Sequence, residues 1–338
     1  MMGAVVECAA IFLVHIRYNS YIWEALEHPG RSATLFLVKK LAPSDPLPDY
    51  HGEYASPSPY RIPDSLHGYR NREGSFEITY TRKNFDTLQR FKFYVTIQPD
   101  GSRFVGHAAH TPTRNVYVFG DSFIFGDGVN DEQTFTYLLQ SRFPNTQFHL
   151  YACSSYSLTN AFLNFRRLSS KIGPDDILVL GYASFFDIRH VAAPSRIRQW
   201  GSPAAKDAHP GDFKHVQARL EGDSLAFDRI PLFCEFQPDY CKQADPPASY
   251  MNEVTLRLIN GIARSTRAKV YLLHFYGQMD DGIRKGLDPK VRVVPATADT
   301  YDYIMRDDIN GFDSHPGPYW NHAIYRRLAD TLKIAGVR

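Results

Sequence analysis

Two short stretches far apart in the chain hold residue types that could do chemistry together. One is Gly120-Asp121-Ser122, where a short apolar run, Asn115–Phe119, gives way to a segment of helical spacing. The other is Asp313-Ser314-His315-Pro316, just ahead of the last amphipathic stretch. A serine hydroxyl is a poor nucleophile until a base takes its proton, and a carboxylate orients that base and stabilises its protonated form. A serine at the handover from strand to helix stands at the edge of the sheet. There the free N–H groups at the helix start can hold an oxyanion. The chemistry expected from this set is acyl transfer, with Ser122 attacking and His315 as its base. Asp313 is the acid, and Asp307 and Asp308 are reserves. An isolated Gly-Asp-Ser would instead be read as a turn and a helix cap.

The tripeptide is not isolated. Val118-Phe119-Gly120-Asp121-Ser122-Phe123-Ile124-Phe125-Gly126 continues through Gly128-Val129 to Thr134-Phe135 and Leu138-Leu139. This run resembles the first motif block of the SGNH hydrolases, also called the GDSL esterase/lipase family, in its bacterial GDSF form. The resemblance covers roughly residues 114–190 and 265–335. It implies a three-layer α/β/α sandwich with a mainly parallel sheet, no cofactor, and an acid and base directly before the C-terminal helix. The usual family spacing there is D-x-x-H, but Phe312 holds the acid position and the chain reads D-x-H. That variant resembles members acting on polysaccharide O-acetyl groups. The implied activity is hydrolysis of an ester, a small acyl group on a carbohydrate, through an acyl-enzyme. Acyl transfer to a sugar hydroxyl and a catalytically weakened carbohydrate-binding module are the alternatives.

The family's oxyanion hole combines the serine's own N–H, a glycine N–H from a second block and an asparagine amide from a third. Ala152-Cys153-Ser154-Ser155-Tyr156-Ser157 contains no glycine, so Ser155 takes its place, with its N–H usable if φ is negative. The third block reads Phe186-Asp187 in place of Asn-Asp, and Ser184, Asn160 or His190 could substitute. Asp121, His190 and His274 are candidates for the substrate side, His274 because it ends a strand at the same sheet edge. His107 and His110 form a sparse HxxH on a surface loop. No metal-ligand cluster or phosphate-binding glycine loop stands out.

The elements that must position these residues follow from hydrophobic pattern. Asn115–Phe119, Phe148–Ala152, Asp176–Gly181, Lys269–Tyr276 and Val291–Val294 are continuous apolar runs separated by helical spacing. This is the signature of a parallel sheet covered on both faces. Helices are expected over 131–143, up to Leu168, and over Asn321–Ile334. Residues 1–65 read as an N-terminal helical segment followed by a Pro/Ser-rich linker. Residues 66–110 read as a small β-rich appendage. Residues 111–338 form the hydrolase-like domain, with an insertion at about 191–247 that leaves the sheet where ligands bind in open α/β folds. It is expected to form a pocket wall or lid.

Composition bounds the partners. Apolar residues make up 43% of the 338, enough for a large core. The 38 basic residues nearly balance 36 acidic ones, with no Lys/Arg run, so a nucleic-acid partner is not indicated. The expected partner is a small-molecule or carbohydrate ester. Oligomeric state and compartment stay open. Gly3–Val14 is apolar but too short to span a bilayer, and it lacks the basic start of a signal peptide. Cys234 and Cys241 could close a local disulfide or remain free thiols.

Overall fold

The computed structural model describes residues 50–84, 87–199, 213–275, 279–296 and 315–337. The N-terminal apolar segment, Cys8, Asp307, Asp308 and Asp313 lie outside the described residues. At its centre is a parallel five-stranded sheet. Its strands are β6 (Arg114–Gly120), β7 (Thr146–Ala152), β8 (Ile177–Tyr182), β11 (Lys269–His274) and β12 (Val291–Pro295) in the order β12-β11-β8-β6-β7. The chain runs from β6 outward to β7, then returns past β6 to β8. The order therefore reverses at β6, which places a topological switch point at the carboxyl end of that strand.

Side chains alternate between two cores, as period-two strands buried on both faces require. Val116, Val118, Ile177, Val179, Tyr271 and Leu273 face one, while Tyr117, Phe119, Leu178, Leu180, Val270 and Leu272 face the other. The first core is covered by α1 (Ser122–Phe125), α2 (Phe135–Arg142) and α9 (Pro318–Ile334). The second is covered by α3 (Leu158–Leu168), α7 (Ala248–Arg264) and α8 (Asp281–Gly286). The result is a three-layer α/β/α sandwich. Between α3 and α7 lie two short helices, α4 (Asp187–His190) and α5 (Pro194–Gln199), and α6 (Pro238–Cys241).

The Pro/Ser-rich stretch departs from its reading as a linker. It holds β1 (Tyr50–Ser56), which pairs antiparallel with β4 (Gly74–Asn84), and β2 (Arg61–Asp64), which pairs with β3 (Gly68–Asn71). β1 is an edge strand whose described side chains alternate between half-buried and exposed. A polar composition is tolerated on such an edge and hides it from hydrophobic periodicity. β4 and β5 (Thr87–Ile97) form an antiparallel hairpin, and Phe76, Ile78, Phe93 and Val95 share a core with the main sheet.

The insertion is built around an antiparallel hairpin, β9 (Lys214–Glu221) and β10 (Ser224–Pro231). Cys234 and Cys241 are joined in a disulfide at its far side, resolving the alternative left open by their spacing. Among the described residues no helix is long and apolar enough to cross a membrane.

Candidate active site

Ser122 is the first residue of α1, directly beyond β6, and its side chain lies in a nearly closed crevice (5% exposed). Two glycines bring the helix down onto the sheet. A Cβ on Gly120 or on Gly181 of the neighbouring strand would come within 2.2 Å of the Ile124 side chain. The glycine ahead of Asp-Ser is therefore a packing requirement of the turn. α1 ends at once on Gly126, at φ 82°, with Gly126 N–H and Asp127 N–H both donating to Ser122 O.

What holds this short helix is Arg103, which the sequence analysis did not single out. Its side chain is fully buried. Nη1 donates to Phe125 O (2.7 Å) and Gly126 O (2.8 Å), Nη2 to Val129 O (2.7 Å), and Nε to Asp131 Oδ1 (2.8 Å). A helix end leaves carbonyls without intrahelical partners, and one guanidinium satisfies them here. The signal in the sequence was an arginine followed by the apolar Phe104-Val105, too common a pattern to stand out.

His315 is brought to the same turn from the start of α9. Its ring centroid lies 5.5 Å from that of Phe123, the residue after Ser122, and its Nε2 is 3.9 Å from Asp127 Oδ2. Asn321, wholly buried, fastens this approach. Its amide donates to Pro316 O and Gly317 O (3.0 Å each), while its Oδ1 accepts from Phe135 N–H at the start of α2 (3.1 Å). The segment that carries His315 is thus pinned to α2.

Asp127, between the two glycines of the motif, is a second residue the sequence analysis passed over. It is 3% exposed and accepts from Ser154 Oγ, which in turn accepts from Arg61 Nη2 at 3.0 Å. Arg61 Nη1 donates to Glu53 Oε2 at 2.9 Å. Burial raises the Glu53 carboxyl above the usual range, with Arg61 opposing the shift. β1 and β2 therefore deliver a charged group to the edge of the site, a consequence of the strands hidden in the Pro/Ser-rich stretch.

Several expected substrate or oxyanion residues have other work. Asp121 is 2% exposed and caps α1, with Oδ1 accepting from Phe123 N–H and Oδ2 paired with Arg189 Nη1 at 3.2 Å. Burial raises its pKa to about 6, Arg189 pulling the other way. Its carboxylate is committed to the turn and does not line the substrate side. Asn160 is the third residue of α3, and its Oδ1 accepts from Ser157 N–H at 3.0 Å in a capping box, which fixes its amide at the start of the helix.

His190 is wholly buried, its Nδ1 against Thr255 Oγ1 (2.9 Å) and near Asp187, and burial pushes it down to about 3. It faces the second core, so it neither donates to the oxyanion nor touches substrate. His274 is also buried, its Nε2 enclosed and its ring 5.7 Å from Tyr182, with burial lowering it to about 4. It packs below the sheet edge instead of lining a pocket. Ser184 lies exposed on a single 3-10 turn. His107 and His110 are exposed, as read.

Phe186 is 1% exposed. It stacks against Phe123 (5.9 Å), meets Phe185 edge-on (4.3 Å), and carries the Arg189 guanidinium 4.5 Å above its ring. The residue that the resemblance sets in place of an asparagine is an apolar anchor with a cation on top. Ser155 overturns the condition set for its donor, since its φ is 63°, not negative. Left-handed backbone costs an L-residue roughly 1–2 kcal/mol. Ser155 thus adopts the conformation a glycine would take, with Arg196 Nη2 donating to its Oγ at 3.0 Å. Burial, with Arg189 nearby, pushes the Arg196 guanidinium down to about 9, so it remains a cation at neutral pH. Neither Ser122 N–H nor Ser155 N–H donates to another described residue.

No metal-binding group of three or more His, Cys, Asp or Glu occurs among the described residues. No family model and no curated protein matches this chain. Among solved structures it is similar to a member of the lipolytic G-D-S-L family from Veillonella parvula, at 10% identity and a TM-score of 0.38, over 65% of this chain and 99% of that one. A putative lipolytic protein of the same family from Desulfitobacterium hafniense aligns at 12% identity and a TM-score of 0.36, over 64% and 98%. A catalytic mutant of an acetylxylan esterase from Geobacillus stearothermophilus aligns at 11% identity and a TM-score of 0.35, over 68% and 97%. These are chains that this one is similar to, and the chemistry of the site stands on its own residues.

Proposed function

We propose that this chain is a serine esterase that hydrolyses a small acyl group, such as acetyl, from a carbohydrate through an acyl-enzyme on Ser122. The observation that carries the reading is the convergence of Ser122 and His315. A serine at the first turn beyond β6, at the switch point of the sheet, has an imidazole brought to its turn from α9. His315 takes the proton as Ser122 attacks the ester carbonyl, then returns it to the departing alcohol, and in the second half activates water. The N–H groups of Ser122 and Ser155, which donate to no other described residue, are the donors for the oxyanion. Asp313 is the acid that orients His315. Asp127 and Glu53 supply negative charge on the side where the imidazolium forms.

A fluorophosphonate probe tests this directly. The adduct is expected on Ser122 by mass spectrometry, and Ser122→Ala is expected to lose both labelling and turnover of a short-chain aryl ester while keeping its fold. His315→Gln should lose most activity, whereas His107→Gln, on an exposed loop, should not. An active preparation without an adduct on Ser122, or equal losses in the two histidine variants, would overturn the assignment.

A further inference from the structure

The loop after β7 faces a difficulty that the turn after β6 does not. Ser155 stands at φ 63°, where glycine is the ordinary occupant. Strained backbone of this kind persists only where its surroundings over-determine it. The backbone on either side is tied: Tyr69 Oη donates to Ser154 O at 2.8 Å and Tyr156 N–H donates to Cys153 O across the turn, while the N–H of Ser155 donates to no described residue. At Ser155 itself the side chain is held, by Arg196 Nη2 at 3.0 Å from Oγ. Arg196 comes from α5 in the insertion, and its Nη1 is itself fixed on Gln199 Oε1 at 3.0 Å. Burying a guanidinium is unfavourable unless its hydrogen bonds are placed, so this contact is one the fold maintains at a cost.

We infer that Arg196 is a positioning residue that holds Ser155 in the left-handed conformation through its hydroxyl, and so keeps the Ser155 N–H available to the oxyanion. A glycine at this place needs no holding. A serine does, and the insertion supplies it. This gives the insertion a role in the chemistry itself beyond any wall it forms. The inference rests on the esterase reading above, because it assigns a function to the Ser155 N–H only if an oxyanion forms beside Ser122.

A double-mutant cycle on the full chain tests it, using a short-chain aryl ester. Arg196→Met is expected to lower kcat at least about 10-fold, and by no more than the roughly 10²–10³ attached to loss of a whole oxyanion donor, with KM little changed. In the Ser155→Gly background the same substitution is expected to cost less than about 3-fold, since glycine takes positive φ unaided. The readout is the difference between those two costs, which a merely structural arginine would not move. Should Arg196→Met fail to fold, Arg196→Lys enters the cycle. It keeps the charge and stem but loses the planar fork, and the loss it causes is again expected to vanish in the Ser155→Gly background.

Equal costs in the two backgrounds would overturn the inference, as would a folded Ser155→Gly protein with no measurable turnover. Fluorophosphonate labelling of Ser122 in the unaltered chain separates the two levels. If the unaltered chain takes no label, the esterase reading falls and takes the inference with it. If it is labelled while the costs are equal, only the role of Arg196 falls.

Discussion

The turn after β6 and the turn after β7 meet at the same edge of the sheet, yet they are held in different ways. The first is shaped by its own residues. Gly120 lets α1 settle on the sheet, Asp121 caps it, Gly126 ends it, and one arginine, Arg103, takes its open carbonyls. The second carries no glycine and is shaped from outside. Arg61 from β2 holds Ser154, and Arg196 from the insertion holds Ser155. A turn shaped by its own backbone writes a recognisable motif. A turn shaped by distant side chains does not, because the hydroxyls it presents could belong to any polar loop.

The difference can be broken experimentally, beginning with stability on the β6 side. Arg103→Met leaves the carbonyls of Phe125, Gly126 and Val129 and the carboxylate of Asp131 without their shared partner. The expected loss is about 3–5 kcal/mol in urea unfolding, typical of breaking a buried charged network. A loss below about 1 kcal/mol would mean that α1 holds its shape without Arg103. Arg196→Met, on the β7 side, should by contrast act on rate first.

Phe186→Asn probes the region where the family's amide is missing. The structure makes Phe186 an anchor between Phe123, Phe185 and Arg189, so asparagine leaves a void and a buried amide without partners. The expected outcome is a loss of about 2–4 kcal/mol and slower ester cleavage. A faster enzyme with an unchanged melting temperature would show instead that an oxyanion donor had been restored.

Buried titratable groups pull stability in opposite directions. His67, His190, His215 and His274 are held by burial at about 4, 3, 4 and 4. Between those values and the ordinary 6.5 an unfolded chain binds protons that the folded chain refuses. Their contribution is therefore present above pH 6.5 and lost as pH falls. Asp121 at about 6 and Asp187 at about 7 act in the opposite sense, since the folded chain protonates them first. With four histidines opposing these two aspartates and the raised Glu53, the net expectation is a melting temperature a few degrees lower at pH 5 than at pH 7.5. A melting temperature that rises on acidification would show that the buried aspartates dominate.

The chain's own order of residues determined the central sheet, the Gly-Asp-Ser turn and the final helix. Each is a local pattern that any correct fold must respect, in the form of apolar runs of strand length, a glycine-serine turn and helical spacing. The strands at Tyr50–Ser56 and Arg61–Asp64 escaped because their sides are half exposed, and a half-exposed edge strand may be written in prolines, serines and charges without loss of core. Polar roles were the least legible. Asp121 is a good acceptor in the abstract, but it lies one hydrogen bond from an unsatisfied N–H of its own helix and is consumed there. His190 and His274 sit at the sheet edge in sequence and under it in space. Only tertiary structure decided that three arginines, from β2 (Arg61), α4 (Arg189) and α5 (Arg196), would reach Ser154, Asp121 and Ser155 in the turns after β7 and β6. A guanidinium reaches its partner through a long flexible stem, and nothing in its neighbours along the chain records where that stem will end.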